Sequence, residues 1–364
     1  MTAARPPALK TLRRLEKLAA GVSLLARQWP GGRAPLPLAA YFLLTYRCNQ
    51  ACDFCFLREL ETGDRTVDLD FALAEKILAQ LPRRTVASFS GGEPLCHPRA
   101  LDIVELAARH HRVSLITNGT LLDDNPIERL VAAAPRRFGG AGLTILGVSL
   151  FEPLAAAALA EKTKTLEALR RARERIGRAG PLVDLKIVLR RDVAISPAGY
   201  LAFLQRDLAD VLTFQLPNDL LYPPYYDRGV RPEEPATRRR EPLPAATAAP
   251  NRETWLAGLR VLRESPECRS GRVRFYPDIP PAEMARFLTG EPLQNRYRCT
   301  FPWTGVMISP RGNAFLCRHP EPESLVAQSF RRAWNGENFR RFRRTVRDED
   351  VGATCPGCCF LRED

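Results

Sequence analysis

The amino-acid sequence predicts an α/β protein built around a partial, open (β/α)6 TIM-like barrel, with a second and smaller module after it. The 364 residues are 45% hydrophobic, which is enough to bury a full core. From about Leu36 onward, short apolar runs alternate with stretches of helical periodicity, which is the pattern of repeated βα units around a parallel sheet. In such a barrel the active site lies at the carboxyl ends of the strands.

Before the barrel, residues 7–28 place leucines at helical spacing, with lysines and arginines mostly on other faces. We predict a basic amphipathic helix that ends at Trp29 to Gly32. It either docks against the body of the protein or makes peripheral contact with a membrane surface. The sequence has no apolar run of about 18 residues and no secretory signal, so the expected compartment is the cytoplasm.

The apolar runs predict six strands, at residues 39–45, 85–90, 112–117, 143–150, 182–189 and 211–216. Helical periodicity predicts helices at residues 70–81, 98–110, 126–134, 157–176, 197–209 and 252–264. A stretch rich in proline, tyrosine and arginine predicts a long loop over residues 217–250. The predicted domains are therefore an N-terminal helical extension (1–36), a barrel core (37–216), a linker with a helix (217–298) and a C-terminal domain (299–364).

The net charge of +13 is carried mainly by arginine, in patches at residues 238–240 and between residues 331 and 347. Such a charge permits an anionic partner, but the whole chain is rich in arginine, and we interpret most of these residues as solvated helix faces. A nucleic-acid partner is therefore not expected. The ten cysteines are too unevenly spaced for a disulfide framework, which favours metal ligation.

Three cysteines follow the first strand at C-x3-C-x2-C spacing: Cys48, Cys52 and Cys55. Three thiolates on one loop can bind three irons of a 4Fe–4S cluster and leave the fourth iron open to a substrate or cosubstrate. A structural zinc ion would need a fourth nearby ligand. The loop offers none, because the neighbouring loop residues confine Asp53.

This loop resembles the cluster-binding loop of the radical S-adenosylmethionine (SAM) superfamily. In that family SAM chelates the open iron, and reduction cleaves it to a 5′-deoxyadenosyl radical that abstracts a hydrogen atom from the substrate. The resemblance implies a 4Fe–4S cluster and SAM as cofactors, with reduced flavodoxin or ferredoxin as the electron donor.

Further motifs at the ends of the second, third and fourth strands, Ser90–Leu95, Ile116–Thr120 and Val148–Leu150, extend the resemblance. We interpret the glycines of the first motif as allowing close backbone approach to the ligand. The family uses this motif to hold the SAM amino group, and for Glu93 taken alone a helix-capping carboxylate is the alternative. The implied SAM contacts are Phe54, Gly91, Gly92, Glu93, Thr117, Asn118, Ser149 and, with a surface position as the alternative, Arg190.

The C-terminal module contains Cys299 and Cys317 at C-x12-G-x4-C spacing and then Cys355 and Cys358. Four thiolates suffice to ligate a 4Fe–4S cluster fully, and the same four fit a tetrahedral zinc site. The segment resembles the Twitch domain, a shortened SPASM fold with a β-hairpin, a helix and one auxiliary cluster. Since the chain stops at Asp364, we expect one auxiliary cluster. We interpret the remaining cysteines as packed thiols: Cys96, Cys268 and Cys359.

A fully ligated auxiliary cluster is suited to electron transfer, which favours a net two-electron oxidation of the substrate. We therefore expect a radical SAM oxidoreductase that dehydrogenates a small-molecule alcohol, as the aminocyclitol dehydrogenase of aminoglycoside biosynthesis does. The alternatives are a peptide-modifying (RiPP) maturase, disfavoured because only residues 1–36 precede the barrel, and a nucleic-acid or membrane-surface module with structural clusters. No catalytic residue is assigned; by position alone the candidates for a general base are Tyr222, Tyr225, Tyr226, Asp227 and His319.

Overall fold

A computed structural model of the chain describes residues 21, 25–52, 55, 57, 64–83, 85–137, 139–151, 156–177, 180–217, 250–291, 293, 297–317, 322–348 and 361–363. Several predictions made above lie outside these residues. They are most of the helix at 7–28, nearly all of the loop at 217–250 with its candidate bases, and the residues Phe54, His319, Cys355, Cys358 and Cys359.

The fold is organised by one large sheet in which seven parallel strands follow one another in chain order. These strands are β1 (Ala39–Leu43), β2 (Val86–Ser90), β3 (Arg112–Thr117), β4 (Gly142–Leu150), β5 (Leu182–Val188), β6 (Val211–Gln215) and β7 (Val273–Tyr276). The first six confirm the predicted strands to within two residues at each end. The partial barrel predicted from the sequence is confirmed, and the sheet extends beyond its six strands.

Helices connect the strands and cover one face of the sheet. They are α1 (Phe71–Gln80), α2 (Ala100–Ala108), α3 (Asp124–Ala132), α4 (Ala156–Ile176), α5 (Pro197–Gln205), α6 (Arg252–Glu264), α7 (Pro266–Ser270) and α8 (Pro281–Leu288). The first six match the predicted helices. Helix α5 stops four residues short of its predicted end, because Asp207 takes a left-handed conformation with φ of 60° that a helix cannot continue through.

The face of the sheet under the helices is apolar. On β6, Phe214 packs edge-to-face against Tyr200 of α5 and stacks on Phe275 of β7, with ring centroids 5.3 and 5.5 Å apart respectively. Side chains alternate along a strand, so the neighbours of these residues point to the opposite, concave face of the sheet.

The seventh strand, β7, was missed by the sequence interpretation, which assigned residues 217–298 to a linker with one helix. Val273–Tyr276 pairs in parallel with β6 and continues the sheet. The run is only four residues long and alternates apolar side chains with Arg274, so its local signal is weak. Helices α7 and α8 are further elements of this region.

The C-terminal segment continues the same sheet at its other edge. After β8 (Tyr297–Cys299) and the short helix α9 (Phe301–Thr304), strand β9 (Gly305–Ile308) pairs in parallel with β1. Strands β10 (Asn313–Phe315) and β11 (Glu323–Ser324) then extend the sheet antiparallel, and β12 (Leu361–Glu363) pairs with β8. The predicted β-hairpin is therefore docked on the open edge of β1, where the first barrel strand offers unpaired backbone groups.

Two last helices lie between β11 and β12: α10 (Phe330–Trp334) and α11 (Glu337–Asp348). Arg343 of α11 is fully buried. Its guanidinium donates to the carbonyl oxygens of Pro302 at 2.7 Å, Trp334 at 2.9 Å and Gly32 at 3.3 Å. Burial lowers the pKa of Arg343 to about 9, which leaves the group charged at neutral pH. This one side chain joins α11 to α9 and to the segment before β1.

Within the part of the chain that the structure describes, no helix is both long enough and apolar enough to span a membrane.

Candidate functional site

The three-cysteine loop leaves the end of β1 through a set of polar contacts. Thr45 donates its hydroxyl hydrogen to Asp68 at 2.6 Å, and Arg47 forms an ion pair with the same carboxylate. The backbone N–H of Tyr46 donates to Val67 at 3.1 Å. These contacts fix the direction in which the chain enters the loop at Cys48.

Gly91 and Gly92, at the end of β2, pack directly against the backbone of this loop entry. A Cβ atom on Gly91 would overlap the carbonyl oxygen of Thr45, and one on Gly92 would lie 2.6 Å from the carbonyl carbon of Arg47. The N–H of Gly92 donates to Thr45 at 2.9 Å. In this structure the close approach that the glycines allow is to the cysteine loop, and their approach to the ligand stays a prediction.

Glu93 is fully buried and joins the ends of β2 and β3. Its carboxylate accepts hydrogen bonds from the hydroxyl of Thr117 at 2.7 Å and from the backbone N–H of Asn118 at 2.6 Å. It also accepts from the N–H of Leu95 at 3.1 Å and so caps a short 3-10 turn, as the alternative interpretation expected. Burial raises the pKa of the Glu93 carboxyl, although the hydrogen bonds oppose this shift.

A network of amides ties the cysteine loop to the end of β3. The side chain of Asn118 donates to Asn49 at 2.8 Å, and Asn49 donates to Thr120 at 2.8 Å. Lys162, from α4, donates to the carbonyl oxygen of Asn118, and burial lowers the pKa of its ammonium group. Neither Lys162 nor Asn49 was predicted from the sequence, because neither falls on a recognised motif position.

The three cysteines of the loop form no disulfide bond; Cys48 is exposed, and Cys52 and Cys55 are half-buried. The backbone N–H of Gln50 donates to the Cys48 sulfur at 3.4 Å, and the N–H of Cys55 donates to the carbonyl of Cys52 at 3.2 Å. Burial raises the pKa of the Cys48 thiol, with smaller contributions from the charges of Glu93 and Cys55.

Among the described residues no group of three potential ligands is arranged to hold a metal ion. In a 4Fe–4S cluster each thiolate binds its own iron, so the thiolates need not converge on one point. Three thiolates on one loop, with an N–H donated to the Cys48 sulfur, fit such a cluster.

Two further residues are predicted to contact SAM: Ser149 on β4 and Arg190 just after β5. Ser149 lies near the end of β4 on the concave face and is half-buried. Arg190, just after β5, forms an ion pair with Asp192 at 2.6 Å, and this pairing lowers the pKa of the Asp192 carboxyl. A SAM contact by Arg190 stays a prediction.

Cys299 and Cys317 are brought together on the concave side of β9 and β10. Both pack against one apolar cluster formed by Phe301, Met307 and Phe315. Leu361 of β12 is the register partner of Cys299, which brings the chain back to this place just after the predicted ligands Cys355 and Cys358. The position of the described pair fits a four-cysteine cluster site.

Cys268 and Cys96, both interpreted above as packed thiols, lie in different surroundings. Cys268 contacts the main core as expected. Cys96 lies beside the cysteine loop, near the backbone of Asn49. Burial, followed by the charges of Glu93 and Cys48, raises the pKa of the Cys96 thiol.

Comparisons with known proteins agree with this arrangement. Residues 42–180 match the radical SAM superfamily, and residues 299–359 match the SPASM domain, described as an iron–sulfur cluster-binding domain. The chain therefore carries a radical SAM domain and, after it, a SPASM domain. Its cofactors are accordingly a SAM-binding 4Fe–4S cluster, SAM and an auxiliary iron–sulfur cluster.

Three curated relatives show how far the similarity extends. A tungsten-containing aldehyde ferredoxin oxidoreductase cofactor-modifying protein of Pyrococcus furiosus is 30% identical over 42% of this chain and 44% of its own length. The PqqA peptide cyclase of Gluconobacter oxydans is 30% identical over 65% of this chain and 63% of its own. The PqqA peptide cyclase of Xanthomonas axonopodis pv. citri is 26% identical over 89% of this chain and 81% of its own length. The chain thus spans less than two thirds of the first two relatives.

The fold is also seen in a solved structure. The crystal structure of Streptococcus suis SuiB superposes with a TM-score of 0.61 at 12% identity, covering 91% of this chain and 72% of that one. At this identity the match supports the shared architecture of barrel and C-terminal domain.

Proposed function

We propose that this chain is a radical SAM enzyme that modifies a peptide substrate by a net oxidation. The observation that carries the proposal is its similarity to PqqA peptide cyclases, which for the Xanthomonas protein extends over 336 residues and 89% of this chain. These relatives favour the peptide alternative over the dehydrogenation of a small-molecule alcohol that we expected from the sequence.

The positions of the predicted ligands support an oxidative reaction. Tyr41 of β1 is the register partner of Met307 on β9, and it packs beside Phe301 with ring centroids 5.8 Å apart. The apolar cluster of Phe301, Met307 and Phe315, which contacts Cys299 and Cys317, therefore lies on the concave face of the barrel sheet. When bound, SAM and its cluster supply the radical that removes a substrate hydrogen atom, and the auxiliary cluster supplies an electron acceptor.

The experiment uses the anaerobically reconstituted full chain with SAM and dithionite. The probes are a panel of synthetic peptides of defined sequence, tested in parallel with a panel of aminocyclitols and simple secondary alcohols. We expect one peptide to stimulate 5′-deoxyadenosine release and to lose the mass of two hydrogen atoms. Stimulation by an alcohol alone, with formation of the ketone, would overturn the proposal in favour of the earlier expectation.

A further inference from the structure

Lys162 reaches from the second turn of α4 to the turn that follows β3. Its ammonium nitrogen, Nζ, donates to the carbonyl oxygen of Asn118, the first residue after that strand. Gly119 takes a φ of 81°, and a Cβ atom added there would lie 3.3 Å from Nζ, so the ammonium group lies against bare backbone. A cation is therefore placed at the carboxyl end of the barrel, beside the cysteine loop.

Asn118 joins this place to the cysteine loop. Its side chain donates to Asn49 at 2.8 Å, and Asn49 is the residue after Cys48. The side chain of Asn118 also lies close enough to Cys48 to influence the pKa of its thiol. A single residue thus separates the ammonium group of Lys162 from the loop that carries the predicted cluster ligands.

The ammonium group of Lys162 faces negative charge without forming a close ion pair. The carboxylate of Glu93 and the thiol of Cys52 act on it electrostatically, together with its chain neighbour Glu161. Within the described part of the chain, no carboxylate is close enough to Lys162 to form a salt bridge with it. The positive charge is therefore not cancelled by an adjacent carboxylate.

A structural role alone does not require a charge at this position. Taking an ammonium group out of water costs free energy that a neutral carbonyl acceptor offsets only in part, and this burial lowers the pKa of Lys162. A neutral donor, such as the amide of glutamine, could bind the same carbonyl oxygen of Asn118 at a smaller cost. The presence of a charge therefore points to an anionic group nearby.

A 4Fe–4S cluster bound by Cys48, Cys52 and Cys55 is such a group, and its negative charge grows by one when it accepts an electron. A fixed cation attracts the reduced cluster more strongly than the oxidised one, and partial burial weakens the screening of this attraction by salt. The net charge around an iron–sulfur cluster is one of the properties that set its reduction potential.

We propose that the charge of Lys162 raises the reduction potential of the SAM-binding cluster. The electron comes from an external reductant, and no bond to the lysine forms or breaks. Lys162 acts through its charge and eases the one-electron reduction that precedes SAM cleavage. The inference concerns the radical SAM domain alone, and it holds for a peptide or for any other substrate.

The test is an EPR-monitored redox titration of the full chain with both clusters loaded, in the absence of SAM. The signal of the SAM-binding cluster is identified by its loss in the Cys48, Cys52 and Cys55 triple-alanine variant. In Lys162→Met we expect the equilibrium constant for reduction of this cluster to fall at least threefold, which lowers the potential of a one-electron couple by ~28 mV or more. The auxiliary cluster, separated from α4 by strands β1, β2 and β3, should keep its potential.

Two further variants separate the charge of Lys162 from its hydrogen bond. Lys162→Arg keeps the charge and should keep the wild-type potential. Lys162→Gln keeps a hydrogen-bond donor without the charge and should lower the potential as Lys162→Met does. The matched control is Lys164→Met, which removes an exposed charge from the same helix and should leave the potential unchanged.

Three results would overturn the inference: a smaller fall in Lys162→Met, a wild-type potential in Lys162→Gln, or an equal shift in the potentials of both clusters. Failure of both neutral variants to load the SAM-binding cluster would also overturn it, in favour of a structural role for Lys162. Because the titration uses no substrate, its result is independent of the peptide assay that tests the proposed function.

Discussion

The buried carboxylate of Glu93 accepts the backbone N–H of Asn118 at 2.6 Å and so locks the end of β2 to the end of β3. Both residues come from motifs that the sequence assigns to SAM binding. In this structure Glu93 and Asn118 are also hydrogen-bonded to each other, and the side chain of Asn118 donates to Asn49 of the cysteine loop. The motifs thus shape the scaffold of the site, in addition to the cofactor contacts predicted for them.

Glu93→Gln should destabilise the cluster-free protein by about 1–3 kcal/mol. Each carboxylate oxygen accepts at least one hydrogen bond from protein, so the amide nitrogen of glutamine would oppose a donor whichever way it is oriented. Urea unfolding measures the effect. The matched control is Glu128→Gln, which breaks an exposed ion pair with Arg175 and should cost at most about 0.5 kcal/mol. Equal costs for the two variants would contradict the role given to Glu93.

Gly92→Ala should impair assembly of the SAM-binding cluster while leaving the C-terminal site loaded. The added methyl group overlaps the backbone of Arg47, so the cysteine loop must move from its present position. Iron content after reconstitution measures the loss. Gly21→Ala, with no atom near the added methyl group, should load normally. Full iron content in Gly92→Ala would show that the loop tolerates the displacement.

Arg343→Met should loosen the packing of the C-terminal helices against the barrel and cost about 2–5 kcal/mol. The substitution leaves three buried carbonyl oxygens without their donor and removes the stacking of the guanidinium on Trp334, 4.3 Å from the ring centroid. Thermal unfolding checks the change. Arg341→Met, on the exposed face of the same helix, should stay within about 0.5 kcal/mol of wild type.

The stabilisation by Asp192 should depend on pH. Its hydrogen bonds with Arg190 lower the pKa of the carboxyl from the ordinary value of 3.8, so the contribution is present above that value and is lost as the pH falls through the folded-state pKa. Asp192→Asn should therefore cost up to about 1 kcal/mol at pH 7 and less below pH ~4, by urea unfolding. Asp278→Asn, whose parent side chain is 74% exposed, should cost little at either pH. A cost for Asp192→Asn that does not change with pH would contradict the pairing.

Much of the barrel was predictable from the sequence, because strands such as Leu182–Val188 carry a strong local apolar pattern. The pairing of β9 with β1 was not, since it joins residues more than 250 positions apart and depends on an edge that exists only after folding. In the site, the cysteine spacing identified the chemistry. Lys162 and Lys186 were not predicted, because single lysines on a helix or strand carry no spacing signal. Only the folded sheet places Lys162 beside Asn118 and Lys186 opposite Ser149.

The most direct test of the central claim is iron counting with EPR on the anaerobically reconstituted wild type and two cysteine variants. The wild type should hold about eight irons, the Cys48, Cys52 and Cys55 triple-alanine variant about four, and the Cys299 and Cys317 double-alanine variant about four. Reductive cleavage of SAM should be lost only in the triple variant, while the double variant should cleave SAM without completing peptide oxidation. About four irons in the wild type, with none in the triple variant and zinc at the C-terminal cysteines, would contradict the assignment of an auxiliary cluster and the oxidative reaction built on it.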